Sequence, residues 1–147
     1  MSTAPALTAL VTRHFNASPE RLYDAWLQPA LIGRWMFGPA VRDEEVLRLD
    51  VDPRAGGGFS FLVRRQGREI DHVGEYLDLS RPHRLAFTWT TRDSLPATSR
   101  VIVAFTPADD GCELTLNHEL HPDWSDFVGR TEEAWKKMFN VLAAVLA

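Results

Sequence analysis

The sequence has a single cysteine, Cys112, so no internal disulfide can staple the chain. With no second cysteine near His118 or His121, a zinc site is not expected, and Cys112 reads as a small strand residue. Long hydrophobic runs are missing as well. None approaches the length needed to span a bilayer, and the N-terminus lacks the basic segment, apolar run and small-residue cleavage site of a secretory signal. The expected location is therefore cytoplasmic, without membrane insertion. Blocks of one charge are also absent: 16 Lys and Arg stand against 20 Asp and Glu, interspersed, for a formal net charge of −4. That distribution leaves no nucleic-acid footprint.

Catalytic signatures are equally scarce. No serine sits in the glycine-rich strand-to-helix context of a hydrolase elbow, and Cys112 follows a turn glycine with no evident histidine partner. The three glycines at 56–58 invite a phosphate-loop reading, but no Lys-Ser or Lys-Thr follows them, and they read as a strand-to-strand turn. The adjacent carboxylates Glu44-Glu45, Asp109-Asp110 and Glu132-Glu133 are expected on the surface, and none suggests a shared proton.

What is present is a globular composition, 45% hydrophobic and 24% charged over 147 residues, enough for one domain (1–147) with a sizeable core. The closing stretch, 123–147, carries Trp124, Phe127, Thr131, Trp135, Met138 and Leu142 at helical spacing. It predicts one long amphipathic helix with Asp123 as its N-cap, while Arg130, Glu132 and Lys136 lie off the apolar stripe. A stripe this bulky needs something broad to cover. The chain before it supplies strands: 7–16, 44–51, one from Phe59, 70–79, 84–91, one carrying Val101, Val103 and Phe105, and one carrying Leu114, Leu116, His118 and Leu120. Between the first two, Ser18-Pro19-Glu20 opens a short helix with Ser18 as N-cap, and Gln28-Pro29 breaks it before a second, 30–35. Close strand spacing favours an antiparallel meander, so the predicted fold class is α+β: a curved antiparallel sheet of about seven strands wrapped around the C-terminal helix.

Local sequence adds a family resemblance. The run Phe15-Asn16-Ala17-Ser18-Pro19-Glu20-Arg21-Leu22-Tyr23-Asp24-Ala25-Trp26, with Pro29 and Arg34-Trp35, resembles the opening of bacterial proteins related to the C-terminal domain of the activator of the heat-shock-protein-ninety ATPase. So do Gly57-Gly58-Phe59-Ser60-Phe61, Gly74-Glu75-Tyr76-Leu77 and Pro82-His83-Arg84-Leu85-Ala86-Phe87-Thr88-Trp89. The element order is similar to the helix-grip fold of the SRPBCC (START-like) superfamily, which includes lipid carriers, plant hormone binders and aromatic polyketide cyclases. The resemblance implies a cavity between sheet and helix for a hydrophobic or aromatic small molecule, with no metal or covalent cofactor. A cyclase- or hydratase-like activity in the same cavity is the second implication. Chaperone regulation ranks third, because the chaperone activator carries a separate N-terminal domain and this chain starts almost at its first strand.

If the strand parities hold, Phe59, Phe61, Trp89, Val101, Phe105, Leu116 and His118 face inward, toward Trp124, Phe127, Trp135 and Met138. These are the candidate ligand-binding residues, although aromatic side chains more often simply fill a core. His118 is the leading polar candidate, since it interrupts a leucine-lined face and an imidazole can act as acid or base near neutral pH. The commoner role of such a histidine is a hydrogen-bonded core residue. Glu75 is the second catalytic candidate, but its odd offset from His72 directs the two to opposite faces of a regular strand. Arg100 is expected to pair with Glu113 or Thr115 on the outer face. The Trp35-Met36-Phe37 run is expected to be exposed, at the pocket mouth or in a homodimer contact.

Overall fold

The structure, a computed structural model, describes residues 7–147. Residues 1–6, which the leader and domain readings include, lie outside the described residues. The strands are β1 (Thr8–Phe15), β2 (Glu45–Val51), β3 (Gly58–Arg65), β4 (Arg68–Ser80), β5 (Arg84–Thr91), β6 (Ser99–Ala108) and β7 (Gly111–Glu119). They form one antiparallel sheet in the order β1-β7-β6-β5-β4-β3-β2. Two short helices, α1 (Pro19–Asp24) and α2 (Pro29–Trp35), carry the chain from one edge strand to the other. The long helix α3 (Val128–Val145) packs in the concavity. This is the helix-grip architecture expected from the sequence.

Local chemistry explains the boundaries. Ser18 Oγ accepts the Arg21 N–H at 3.1 Å, and Pro19 takes the first helical position, where a missing N–H costs nothing. The β6–β7 hairpin turns on Asp109 and Asp110, with Asp109 at a φ of 51°. That two-residue loop fixes the register: Ala108 faces Gly111, and the ninth pair of the ladder brings Arg100 opposite Glu119, whose carboxylate it meets at 2.6 Å. The pairing of Arg100 with Glu113 or Thr115 is thereby corrected. Gly74 on β4 is required by close approach, since a Cβ there would meet the Thr88 carbonyl oxygen at 1.9 Å and the Phe59 ring at 2.5 Å. The Phe59 ring can lie over β4 only because that side chain is missing.

The closing helix begins later than its apolar pattern suggests. Residues Pro122–Phe127 form a 3₁₀ segment, capped by His121 Nδ1 accepting the Asp123 N–H at 3.1 Å, and α3 proper starts at Val128 with Phe127 at its N-cap. Asp123 is therefore not the cap of α3. The imidazole of His121 outcompetes it locally, and the proline at 122 starts a tighter turn. Trp124 and Phe127 consequently sit ahead of the helix, not on it, and Phe127 is 39% exposed.

The core is aromatic. Trp26 packs against Trp35, Phe87, Trp135 and Phe139 at centroid distances from 4.8 to 6.2 Å. Trp35, Met36 and Phe37 are all buried within it, so they are neither an exposed mouth nor a dimer contact. Phe37 packs at a tilt against Phe61 and the His72 ring, and Trp35 donates its indole N–H to the Ala25 carbonyl at 3.0 Å.

Glu44 also departs from expectation, because its carboxylate is fully buried. It accepts from the Gly38 N–H at 2.9 Å, from Arg42 at 3.0 Å and from Arg65 at 2.7 Å. Burial pushes its pKa up, but the Gly38 N–H and the two guanidinium groups outweigh that and hold it below the ordinary value. The cluster ties the loop after α2 to the far end of β3. Its stabilising contribution is present above the ordinary carboxylate pKa and lost as pH falls through the lowered native value. Removing one partner of such a cluster is costly. Glu44→Gln is expected to lower the unfolding free energy by about 3 kcal/mol at pH 7, read from the urea midpoint.

Candidate functional site

A cleft of about 420 Å3 opens between the end of the sheet formed by β5, β6 and β7 and the start of α3. Its apolar walls are Trp89, Leu120, Trp124, Phe127, Ala134, Trp135 and Met138, and its polar groups are Thr90, Thr91, Ser94, Ser99, His118, Arg130 and Thr131. Six sequence candidates meet here: Trp89, His118, Trp124, Phe127, Trp135 and Met138. The other five do not line it. Phe59 and Phe61 lie deeper, stacked on each other at 4.7 Å beside an interior void of only about 10 Å3, while Val101, Phe105 and Leu116 are buried in the packed core. The middle of the sheet's inner face is filled by the rings of Trp26, Phe37, Phe87 and Phe139, which leaves this cleft at one end and a smaller cavity of about 130 Å3 between β1 and the far end of α3.

His118 is buried at the floor of this cleft, and both ring nitrogens are engaged. The Trp135 indole N–H, which can only donate, reaches Nδ1 at 3.1 Å. Nδ1 must therefore carry the lone pair, and the proton of the neutral ring sits on Nε2. Nε2–H donates to Ser99 Oγ at 2.7 Å, and the Ser99 hydroxyl donates on to the Trp89 carbonyl at 2.8 Å. One chain of bonds, with every proton assigned by its acceptor, links α3 to β7, β6 and β5. Burial lowers the His118 pKa from 6.5 to about 4. Geometry points the same way, because a proton on Nδ1 would confront the indole donor.

The remaining candidates are placed as follows. Glu75 is exposed on the outer face of β4, while His72 on the same strand is buried with Nδ1–H donating to the Phe61 carbonyl at 3.2 Å. The odd offset does separate them, and Glu75 does not converge on His118. His72 is likewise held neutral, with burial lowering its pKa to about 4. Cys112 is a buried β7 residue whose pKa burial raises, not an activated thiol. Among the described residues, no group of three or more His, Cys, Asp and Glu side chains is placed to hold a metal ion.

The other eight cleft residues were not candidates in the sequence, and two of their polar groups left a signal. Ser99 shares the inward parity of Val101, Val103 and Phe105 but reads as the end of a polar loop. Arg130 reads as solvated, yet it lies three residues after Phe127, and its guanidinium sits 4.9 Å from that ring's centroid. Ser94 is brought to the rim by a short 3₁₀ turn, Arg92–Ser94, that has no periodicity to read.

A sequence profile of the family described as activator of Hsp90 ATPase homolog 1-like protein matches residues 16–147. The chain belongs to this family. No curated protein matches it. Among solved structures, a protein from Chromobacterium violaceum is 26% identical over 95% of this chain and 96% of its own, with a TM-score of 0.82. A Rhodobacter sphaeroides protein superposes with a TM-score of 0.83 at 24% identity, covering 99% of this chain and 95% of that one. A Plasmodium falciparum protein described as an Hsp90 activator gives a TM-score of 0.73 at 21% identity, over 95% of this chain and 96% of that one. At those last two identities the likeness is one of fold. No helix among the described residues is long and apolar enough to cross a membrane.

Both buried histidines bind a proton more readily unfolded, near 6.5, than folded, near 4. Stability is then complete above pH 6.5 and falls as pH drops toward 4, by about 3 kcal/mol for each histidine. Urea midpoints between pH 7 and 4.5 test the window. In Trp135→Phe the indole donor is gone, so the NMR titration midpoint of His118 should rise while stability at pH 7 falls; an unmoved midpoint would show that the indole does not set the tautomer.

Proposed function

We propose that this protein binds a hydrophobic or aromatic small molecule in the cleft between β5, β6, β7 and the start of α3. The observation that carries this reading is the cleft itself: about 420 Å3, within the range of ligand pockets, bordered by three indoles and a phenyl ring with a few polar groups. The hydrogen-bonded chain through His118 makes its floor rigid, so binding would need little reorganisation. On this reading the binding residues are Trp89, Trp124, Phe127, Trp135 and Met138, with His118 a positioning residue that holds the Trp135 ring.

A cyclase- or hydratase-like activity fits less well. His118 has no free nitrogen to offer a substrate, and Glu75 stands on the other face of the sheet. Chaperone regulation is favoured by the family description, and stimulation of purified Hsp90 ATPase would support it.

Native mass spectrometry of protein from its own host, with extraction of bound compounds, is the direct test. In parallel, apolar aromatic compounds should quench cleft tryptophan fluorescence saturably. Ala134→Trp, which fills the cleft from an exposed helical position, should weaken that binding at least ~10-fold with the fold intact by circular dichroism. Equal binding by wild type and Ala134→Trp would remove the cleft as the site.

A further inference from the structure

The cleft's charge is one-sided. No Asp or Glu lines it, although the chain as a whole is net negative at −4. Arg130 is the one charged side chain in its wall, since His118 is held neutral at the floor. Among the described residues no carboxylate lies within 4.0 Å of the Arg130 guanidinium, whereas twelve other ion pairs involve an arginine or a lysine partner at that distance. The acids at helical spacing from Arg130 are directed elsewhere or stand apart. Glu133 pairs with Lys136 at 3.3 Å, and Asp126 makes no ion pair among the described residues. The first turn of α3 carries no acid and no side-chain cap, so the positive end of the helix dipole adds to the same sign.

Most neutral polar groups of the floor are engaged with the protein itself, and of the remaining ones Thr131 stands one residue from Arg130 on α3. Thr90 Oγ donates to the Ala97 carbonyl at 2.7 Å, Ser99 Oγ to the Trp89 carbonyl, and Thr91 and Ser94 bond each other at 3.0 Å. A ligand's polar end therefore finds its partner at the mouth, beside Arg130, and its apolar body points inward to the indoles.

We propose that the cleft selects an aromatic or apolar ligand bearing one anionic group, a carboxylate or comparable oxyanion, held at the mouth by Arg130. This rests on the small-molecule reading above and names the ligand's charge class. Arg130 already lies over Phe127, which pre-orders the guanidinium for an in-plane, bidentate contact with an oxyanion.

Two probes with one aromatic body separate the possibilities: 8-anilinonaphthalene-1-sulfonate, which is anionic, and N-phenyl-1-naphthylamine, which is neutral. Both are titrated by fluorescence against wild type, Arg130→Gln, Arg130→Lys and Ala134→Trp. The expected result is that Arg130→Gln weakens the anion about fivefold, leaves the neutral probe unchanged, and that Arg130→Lys restores most of the loss. Added salt should weaken the anion alone. If Arg130→Gln weakens neither probe, or both equally, charge selection is overturned while cleft binding stands. If neither probe binds, or Ala134→Trp changes neither, the small-molecule reading fails and this inference with it.

Discussion

One run of hydrogen bonds, from the Trp135 indole through His118 and Ser99 to the Trp89 carbonyl, holds the closing helix against the sheet at the end where aromatic packing leaves a cleft of about 420 Å3. Elsewhere the grip of the sheet on α3 is a matter of burial, which is strong but non-directional. At this end three strands and the helix are joined by directional bonds in a buried setting, where an unmet donor or acceptor is expensive. The indole cannot rotate away without leaving Nδ1 unpaired, and the imidazole cannot turn without losing Ser99. The cleft above them therefore keeps its floor whether or not anything occupies it.

The same constraint decides what the histidine is for. An imidazole with a lowered pKa beside a serine suggests catalysis when read as a pair of residue types. The direction of the bonds points elsewhere. Here the serine donates to a backbone carbonyl and accepts from the histidine, the reverse of a base withdrawing a proton from a hydroxyl. At the far end of the sheet, Glu44 plays a comparable role with opposite chemistry. A buried carboxylate is kept charged by two arginines and a backbone N–H, and it fixes the loop that follows α2. Between these two polar anchors the interior is aromatic, and Trp89 spans from the cleft to the interior void beside Phe59 and Phe61.

Much of the fold was legible because it rests on period and punctuation. The alternation of Leu114, Leu116 and His118 placed β7 with its inward face correct, and Ser18-Pro19 placed the start of α1. The hairpin at Asp109-Asp110 contained the register of Arg100 with Glu119, had the two-residue loop been counted out. Where pattern misled, a local competitor had won. The stripe through Trp124 and Phe127 continues the helical period, yet proline and a capping histidine make a 3₁₀ segment there. Glu44, adjacent to Glu45, looked solvated because sequence does not show Arg65 arriving from β3, 21 residues away.

By itself, the sequence determined the element order, the antiparallel meander, the closing helix and the family, since each rests on periodicity, turn chemistry or local motif within a few residues. Tertiary structure alone decided which aromatics border space and which fill it. Phe59 and Trp89 have the same inward parity, and only the rings brought in by α1, α2 and the loop after α2 close the concavity around one and leave the other at a cleft. It also decided the state of His118, because a tautomer is set by partners at 3.1 and 2.7 Å that lie 17 and 19 residues away, and packing brings them together.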